Sequence, residues 1–144
     1  MPAAKIEDIS PFLAEKCTLF ILLARAARIG VILRRGPTKW WRVSLWNTKT
    51  DQIEGGQWFH GGLYPQDCDL SPNGQLLLYF AGKFNLRDCS ATYSAVSQPP
   101  YLTALTLWPN GDRYSGGGGV FLDDQTIVLH QGIEHLPELS PSRL

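Results

Sequence analysis

The sequence predicts a mainly β domain of antiparallel strands, built as a meander, an open curled sheet or a small sandwich, with one N-terminal helix. Three observations lead there. Short apolar runs alternate with polar residues or are bounded by turn residues. The stretch Asp69-Leu70-Ser71-Pro72-Asn73-Gly74 reads as a tight turn launching the apolar run Leu76–Phe80. In it Pro72 presets φ, and Asn73-Gly74 accept positive φ at little steric cost. Finally, 144 residues of 44% apolar content fit a single domain, residues 1–144, that buries a core without metal or disulfide staples.

Taken in order, residues 1–9 are expected to be mobile. Ser10-Pro11 supplies an N-cap and a first helical position. Leu13, Cys17, Phe20, Ile21 and Ala24 then recur at helical spacing, predicting a helix near 11–26. Thr18, Phe20 and Ile21 favour a strand instead, so 18–24 is the point where the two readings compete. Ile29, Val31 and Leu33 alternate with Arg28, Gly30, Ile32 and Arg34. After the turn 36–39, Trp41, Val43 and Leu45 alternate with Trp40, Arg42, Ser44 and Trp46. Residues 47–51 turn into a short strand Gln52–Glu54, and two Gly pairs bracket 57–60. Strands follow at 75–81, Thr92–Ser97, Tyr101–Trp108, Val120–Leu122 and Thr126–His130, with Asn110-Gly111-Asp112 as a hairpin turn. The tail from Gln131 is expected to be mobile. The predicted core is Leu13, Phe20, Ile29, Val31, Leu33, Val43, Leu45, Leu76, Leu78, Phe80, Leu105, Leu107, Phe121 and Ile127.

Formal net charge is zero, so no global field favours nucleic acid or a membrane. Charge is nevertheless unevenly spread. Residues 16–50 hold eight basic side chains and no acidic one, whereas residues 51–144 hold four basic and ten acidic. A mixed-sign surface explains this, as does a basic face for an acidic partner. The run Cys17–Ala24 is too short to span a bilayer, and residues 1–16 lack the basic start of a signal peptide. A cytoplasmic protein without a membrane partner is the expectation. Of the three cysteines, Cys17 is expected to be buried, and a Cys68–Cys89 disulfide competes with a reduced chain.

Trp46-Asn47-Thr48-Lys49-Thr50 and Ile53, followed by Asp69-Leu70-Ser71-Pro72-Asn73-Gly74 and Leu78, resemble one blade of a WD40-like or TolB-type β-propeller over about 35 residues. A propeller has typically four or more blades of about 40 residues. This chain has room for three, so the resemblance implies a blade-like open sheet rather than a closed ring. The span from Arg34 to Ala81 also looks like small bacterial proteins of no assigned function, which implies no activity.

No residue pattern carries a reaction. His60, His130 and His135 lack metal-ligand spacing, so no metal and no cofactor are expected. Cys68 lies between Asp67 and Asp69, whose charges raise a thiol's pKa, the wrong direction for a nucleophile. The pairs Asp67/Asp69 and Asp123/Asp124 fall in turns, where Asp bonds nearby N–H groups. Ser115–Gly119 has neither the helix nor the Lys of a phosphate loop and reads as a close backbone crossing. The remaining pattern is aromatic and basic. Arg28, Arg34, Trp40, Arg42 and Trp46 share a sheet face if strands 28–35 and 40–46 form a hairpin. Trp and Arg anchor protein interfaces. They also suit single-stranded nucleic acid, by stacking and phosphate neutralisation. The leading reading is a non-enzymatic protein-interaction module that binds a partner through Arg34, Trp40, Arg42 and Trp46, with self-association through an open sheet edge as a further expectation. Single-stranded nucleic-acid binding on that face is the alternative. A small enzyme using Cys68, His60 or the acids is the third reading.

Overall fold

A computed structural model of the chain describes residues 17–82, 92–111, 116–130 and 132–136. It consists of antiparallel strands in three open sheets. The first sheet is a meander of β1 (Thr18–Leu23), β2 (Ile29–Arg35), β3 (Trp40–Asn47) and β4 (Gln52–His60). The second is centred on β7 (Leu77–Gly82) and β8 (Thr92–Ser97), with β9 (Ala104–Gly111) on one side. On its other side the short β5 (Gly62–Leu63) and β6 (Asp69–Leu70) both pair with β7. The third comprises β10 (Gly119–Phe121), β11 (Thr126–Leu129) and β12 (Gly132–His135). Among the described residues, no helix is long and apolar enough to cross a membrane.

The sheets stack face to face. Val31, Leu33, Trp41 and Val43 of the first sheet bury against Leu77, Tyr79, Ala81 and Ala95 of the second. On the opposite side, Leu76, Leu78 and Val96 bury against Phe121, Ile127 and Leu129 of the third. Successive residues of β7 therefore serve two different neighbours, as the two-residue period of a strand requires. That is why Leu76-Leu77-Leu78-Tyr79-Phe80 reads as an unbroken apolar run. β6 of the middle sheet touches both β1 of the first sheet and β10 of the third.

The predicted N-terminal helix is not found where it can be inspected. Residues 11–16 and Leu13 lie outside the described residues, and Thr18–Leu23 is strand β1. Its period is two rather than 3.6: Phe20, Leu22 and Ala24 pack on the core, while Leu19, Ile21 and Leu23 are exposed. Thr18, Phe20 and Ile21 express their sheet preference because β2 offers them a ladder. Cys17 is exposed, not buried. Leu105 and Leu107 are exposed as well. The residues of that segment that turn inward are Leu102, fully, and Trp108, in part. Register shifts in the β8–β9 ladder accompany this. Asn110 and Gly111 continue β9 rather than turning, and residues 132–135 of the expected mobile tail form β12 against β11.

The turn after β6 is the junction of the three sheets. Ser71 is fully buried; its Oγ accepts from Leu76 N at 3.0 Å and donates to Asn73 Oδ1 at 2.8 Å. Gly74 closes the turn, donating to Ser71 O at 2.8 Å with φ +74°, a conformation that suits glycine. From the first sheet's side, Ala26 N donates to Pro72 O at 2.9 Å. From the third sheet's side, Asp124 Oδ1 accepts from Asn73 N at 2.8 Å. Two further bonds converge on Phe121: its N–H donates to Asp69 Oδ2 at 2.7 Å, and its carbonyl accepts from Arg25 Nη2 at 2.7 Å.

Candidate functional site

The face of the first sheet turned away from the core is the candidate site. Strand register orders it into cross-strand rows. Leu23, Gly30, Trp46 and Ile53 form one row. Ile21, Ile32, Ser44 and Gly55 form the next, followed by Leu19, Arg34, Arg42 and Trp58. Trp40 and His60 pair beyond them. Leu19, Ile21, Leu23, Trp40, Ile53 and Trp58 are 43–61% exposed, although all are large and apolar. Isolated exposed apolar residues are ordinary, but a contiguous apolar sheet face marks a contact surface.

Arg34, Trp40, Arg42 and Trp46 do share this face, as the register of β2 with β3 requires. Arg28 does not join them: it lies in the bend before β2, where its carbonyl accepts from Thr48 N at 3.0 Å. The four differ in what they already touch. Trp46 donates from Nε1 to Asp51 Oδ1 at 2.9 Å and packs beside Gly30, so its own hairpin holds it. Arg42 lies under the Trp58 ring, 5.0 Å from its centroid, and its guanidinium runs over Gly55, where no side chain interferes. Its Nε is buried without a hydrogen-bond partner. Arg34 donates to Cys17 Sγ at 3.3 Å. Trp40 packs on His60 at 4.6 Å and edge-on to Trp58 at 6.5 Å.

Arg34 and Arg42 stand directly opposite each other. Like charges so placed oppose the pairing of their strands. The face thus combines apolar rows with a basic row that an anionic group would relieve. Sequence reasoning missed Leu19, Ile21, Leu23, Ile53 and Trp58. The signal for three of them was the alternation within 18–24, obscured by the helical spacing. Trp58 sits after a β-bulge in the β3–β4 ladder, which no local pattern announced.

The other candidates are occupied structurally. The Cys68 thiol is buried and free, donating to Tyr64 O at 3.2 Å. Burial pushes it up to about 12, with Asp67 and Asp69 adding in the same direction. Cys89 lies outside the described residues. Asp123 Oδ1 accepts from Gln125 N and Thr126 N at 2.8 and 2.7 Å, the expected turn role. Asp69, which stands in strand β6 rather than in a turn, and Asp124 instead tie the middle sheet to the third. Gly118 donates to Ser94 Oγ at 2.7 Å and fits tightly against the Asp67 backbone, a close crossing as expected. His130 is exposed, and the side chain of His135 lies outside the description. Among the described residues, no three metal-ligating side chains cluster.

No family model matches the chain, and no curated protein or solved structure is similar to it.

Proposed function

We propose that this protein is a non-enzymatic interaction module of the cytoplasm that captures a protein partner on the outer face of its first sheet. One observation carries the reading: six large apolar side chains stand exposed on that single face beside the opposed Arg34 and Arg42. Trp40, Trp58 and Arg34 are the contact residues this favours, with Arg42 fixed beneath Trp58. Trp46 contributes area from a position its hairpin already holds. The blade-like reading of the sheets fits the same picture, because a blade is a sheet whose faces are meant to be covered by other sheets. Nucleic-acid binding is less well supported. Aliphatic side chains occupy much of the face, and the Arg42 guanidinium is already engaged by an indole.

Capture from host lysate by the tagged chain, with and without nuclease, tests the reading. A protein partner retained under both conditions, and lost with a Trp40→Ala/Trp58→Ala variant that keeps its far-UV spectrum, is the expected result. Capture that disappears with nuclease, or falls steeply with salt, transfers the face to nucleic acid.

A further inference from the structure

We infer that Arg34 and Arg42 form a carboxylate-binding site. The partner docked on the outer face of the first sheet places one Asp or Glu side chain there, with apolar side chains over the neighbouring rows. This rests on the reading of that face as a protein-docking surface, and it goes further by naming the chemistry the partner brings.

The state of the two arginines is the first argument. They stand directly opposite each other on β2 and β3, where like charges weaken strand pairing. Their side chains lean apart. Arg34 reaches toward β1, its Nε donating to Cys17 Sγ at 3.3 Å, and Arg42 reaches toward β4, over Gly55 and against the Trp58 ring. Stacking on an indole uses the face of a guanidinium and leaves its N–H edge to bond. Arg42 Nε is nevertheless buried without a hydrogen-bond partner. Among the described residues, no carboxylate answers either arginine. Asp51 accepts from Trp46, and Glu54 falls between the outward Ile53 and Gly55, on the other face of β4. A partly buried cation without a counter-charge costs stability, and an arriving anion relieves that cost.

Position in the sheet is the second. Over the β2–β3 ladder the neighbours of the two arginines include small residues. Ser44 precedes Arg42's row on the same face and brings a hydroxyl donor. Gly36 follows β2 on the other side, and a Cβ added there would meet only Trp40 O, at 3.6 Å. An oxyanion seated between Arg34 and Arg42 therefore has a guanidinium edge on either side and a hydroxyl beside it, a donor set that fits a planar carboxylate.

The surroundings decide between a protein carboxylate and a phosphodiester. Rows on this face lie two residues apart, about 7 Å. The two rows beyond Ser44 and Ile32 toward Leu23 and Ile53 carry no charged side chain. A nucleic-acid strand bears a charge on every nucleotide and would set further phosphates over these apolar rows. A polypeptide strand turns alternate side chains to one side at the same two-residue spacing, so it can set one acid at the arginines and apolar groups on the next two rows. The inner faces of this chain's own sheets are covered by strands in the same way.

Nuclear magnetic resonance on the isotope-labelled full chain tests this, following the Arg34 and Arg42 Nε–H and Trp58 indole signals. The probes, at fixed ionic strength, are the peptide acetyl-Val-Thr-Val-Thr-Glu-Thr-amide, the same peptide with Gln for Glu, and inorganic phosphate. The Glu peptide is expected to shift all three signals saturably, and the Gln peptide to bind about tenfold more weakly for want of the charge-assisted bonds. Arg42→Lys keeps the charge but not the planar fork, and it should weaken the Glu peptide toward the level of the Gln peptide. Arg34→Gln, at an exposed position, should do the same with an unchanged far-UV spectrum, and it carries the test if Arg42→Lys does not fold. Equal binding of the two peptides overturns the inference, as does binding of neither, or binding of the Glu peptide that both variants leave untouched. Phosphate that moves the arginine signals where the Glu peptide does not overturns it in favour of nucleic acid. If the peptides fail in any of these ways yet the Trp40→Ala/Trp58→Ala variant loses a captured protein, the docking face stands and only the carboxylate falls.

Discussion

The turn at residues 71–76 and the outer face of the first sheet are opposites in how their groups are satisfied. In the turn, Ser71, Asn73 and Asp124 supply partners to Leu76, Gln75 and Asn73 backbone N–H groups, and with the Ala26 N–H bond to Pro72 O the turn is tied to both neighbouring sheets. On the outer face, indole rings and aliphatic side chains meet solvent, and two arginines oppose each other. The contrast separates two kinds of polar and aromatic residue. Where every group has its partner inside the chain, the residue maintains the fold. Where large apolar groups are left uncovered, folding alone gives no reason for them.

Substitutions should divide along the same line. Asp124→Ala removes the carboxylate that receives Asn73 N–H, and the loss of a hydrogen bond to a charged group should lower stability by about 1.5–3 kcal/mol. Urea unfolding checks this, with Asp124→Asn recovering much of the loss and capture by the outer face unchanged. A large effect on capture would show that the junction and the face are not separate.

The two described thiols sharpen the comparison through pH. Cys17, exposed beside Arg34, should react with a disulfide reagent in the native state, while Cys68 should react only on unfolding. Burial raises the folded-state Cys68 thiol from an unfolded value of 9.0 to about 12. The folded chain therefore holds this proton more tightly. Its contribution is complete below pH 9 and is lost as pH rises toward 12, at about 1.4 kcal/mol per pH unit. Burial also raises Tyr79, whose hydroxyl donates to Leu102 O at 2.5 Å, and this extends the same alkaline decline. Cys68→Ser should flatten the decline between pH 9 and 10, measured by unfolding at fixed denaturant.

The smallest stability effect belongs to the face itself. Trp40→Ala gives up ring contacts with His60 and Trp58, worth no more than about 1 kcal/mol. Trp46→Ala also loses the bond to Asp51 and should cost more. Thermal unfolding of the two variants orders them. A Trp40→Ala chain that loses its fold would place Trp40 in the maintenance of the sheet instead.

Much of the fold was legible because strands and tight turns are encoded over a few residues. Ser71-Pro72-Asn73-Gly74 gave its turn, and the alternations at 29–35 and 40–47 gave β2, β3 and the shared face of Arg34, Trp40, Arg42 and Trp46. Missed features depend on partners distant in sequence. Phe20 and Ile21 fit a helix or a strand until β2 is present to pair with them. Leu105 and Leu107 alternate correctly but on the wrong phase, and a strand shifted by one residue exchanges its faces. The bridging roles of Asp69 and Asp124 reach 52 and 51 residues along the chain, beyond any local signature. The site was half legible for the same reason: β2 and β3 announce their residues, whereas β1 and the bulged β4 do not.

Those long reaches have a kinetic consequence. Most strands of each sheet follow one another in the chain, so their hairpins close over short loops, on a timescale of about 1–10 μs. The bonds that dock one sheet on another, Asp69 to Phe121 and Asn73 to Asp124, close loops of about fifty residues and come only after their sheets exist. Folding should therefore pass from quick, local assembly to a slow search for alignment, in the millisecond-to-second range of non-local β proteins. The 71–76 turn, formed early and touching both neighbours, is the piece of the chain on which that alignment is set.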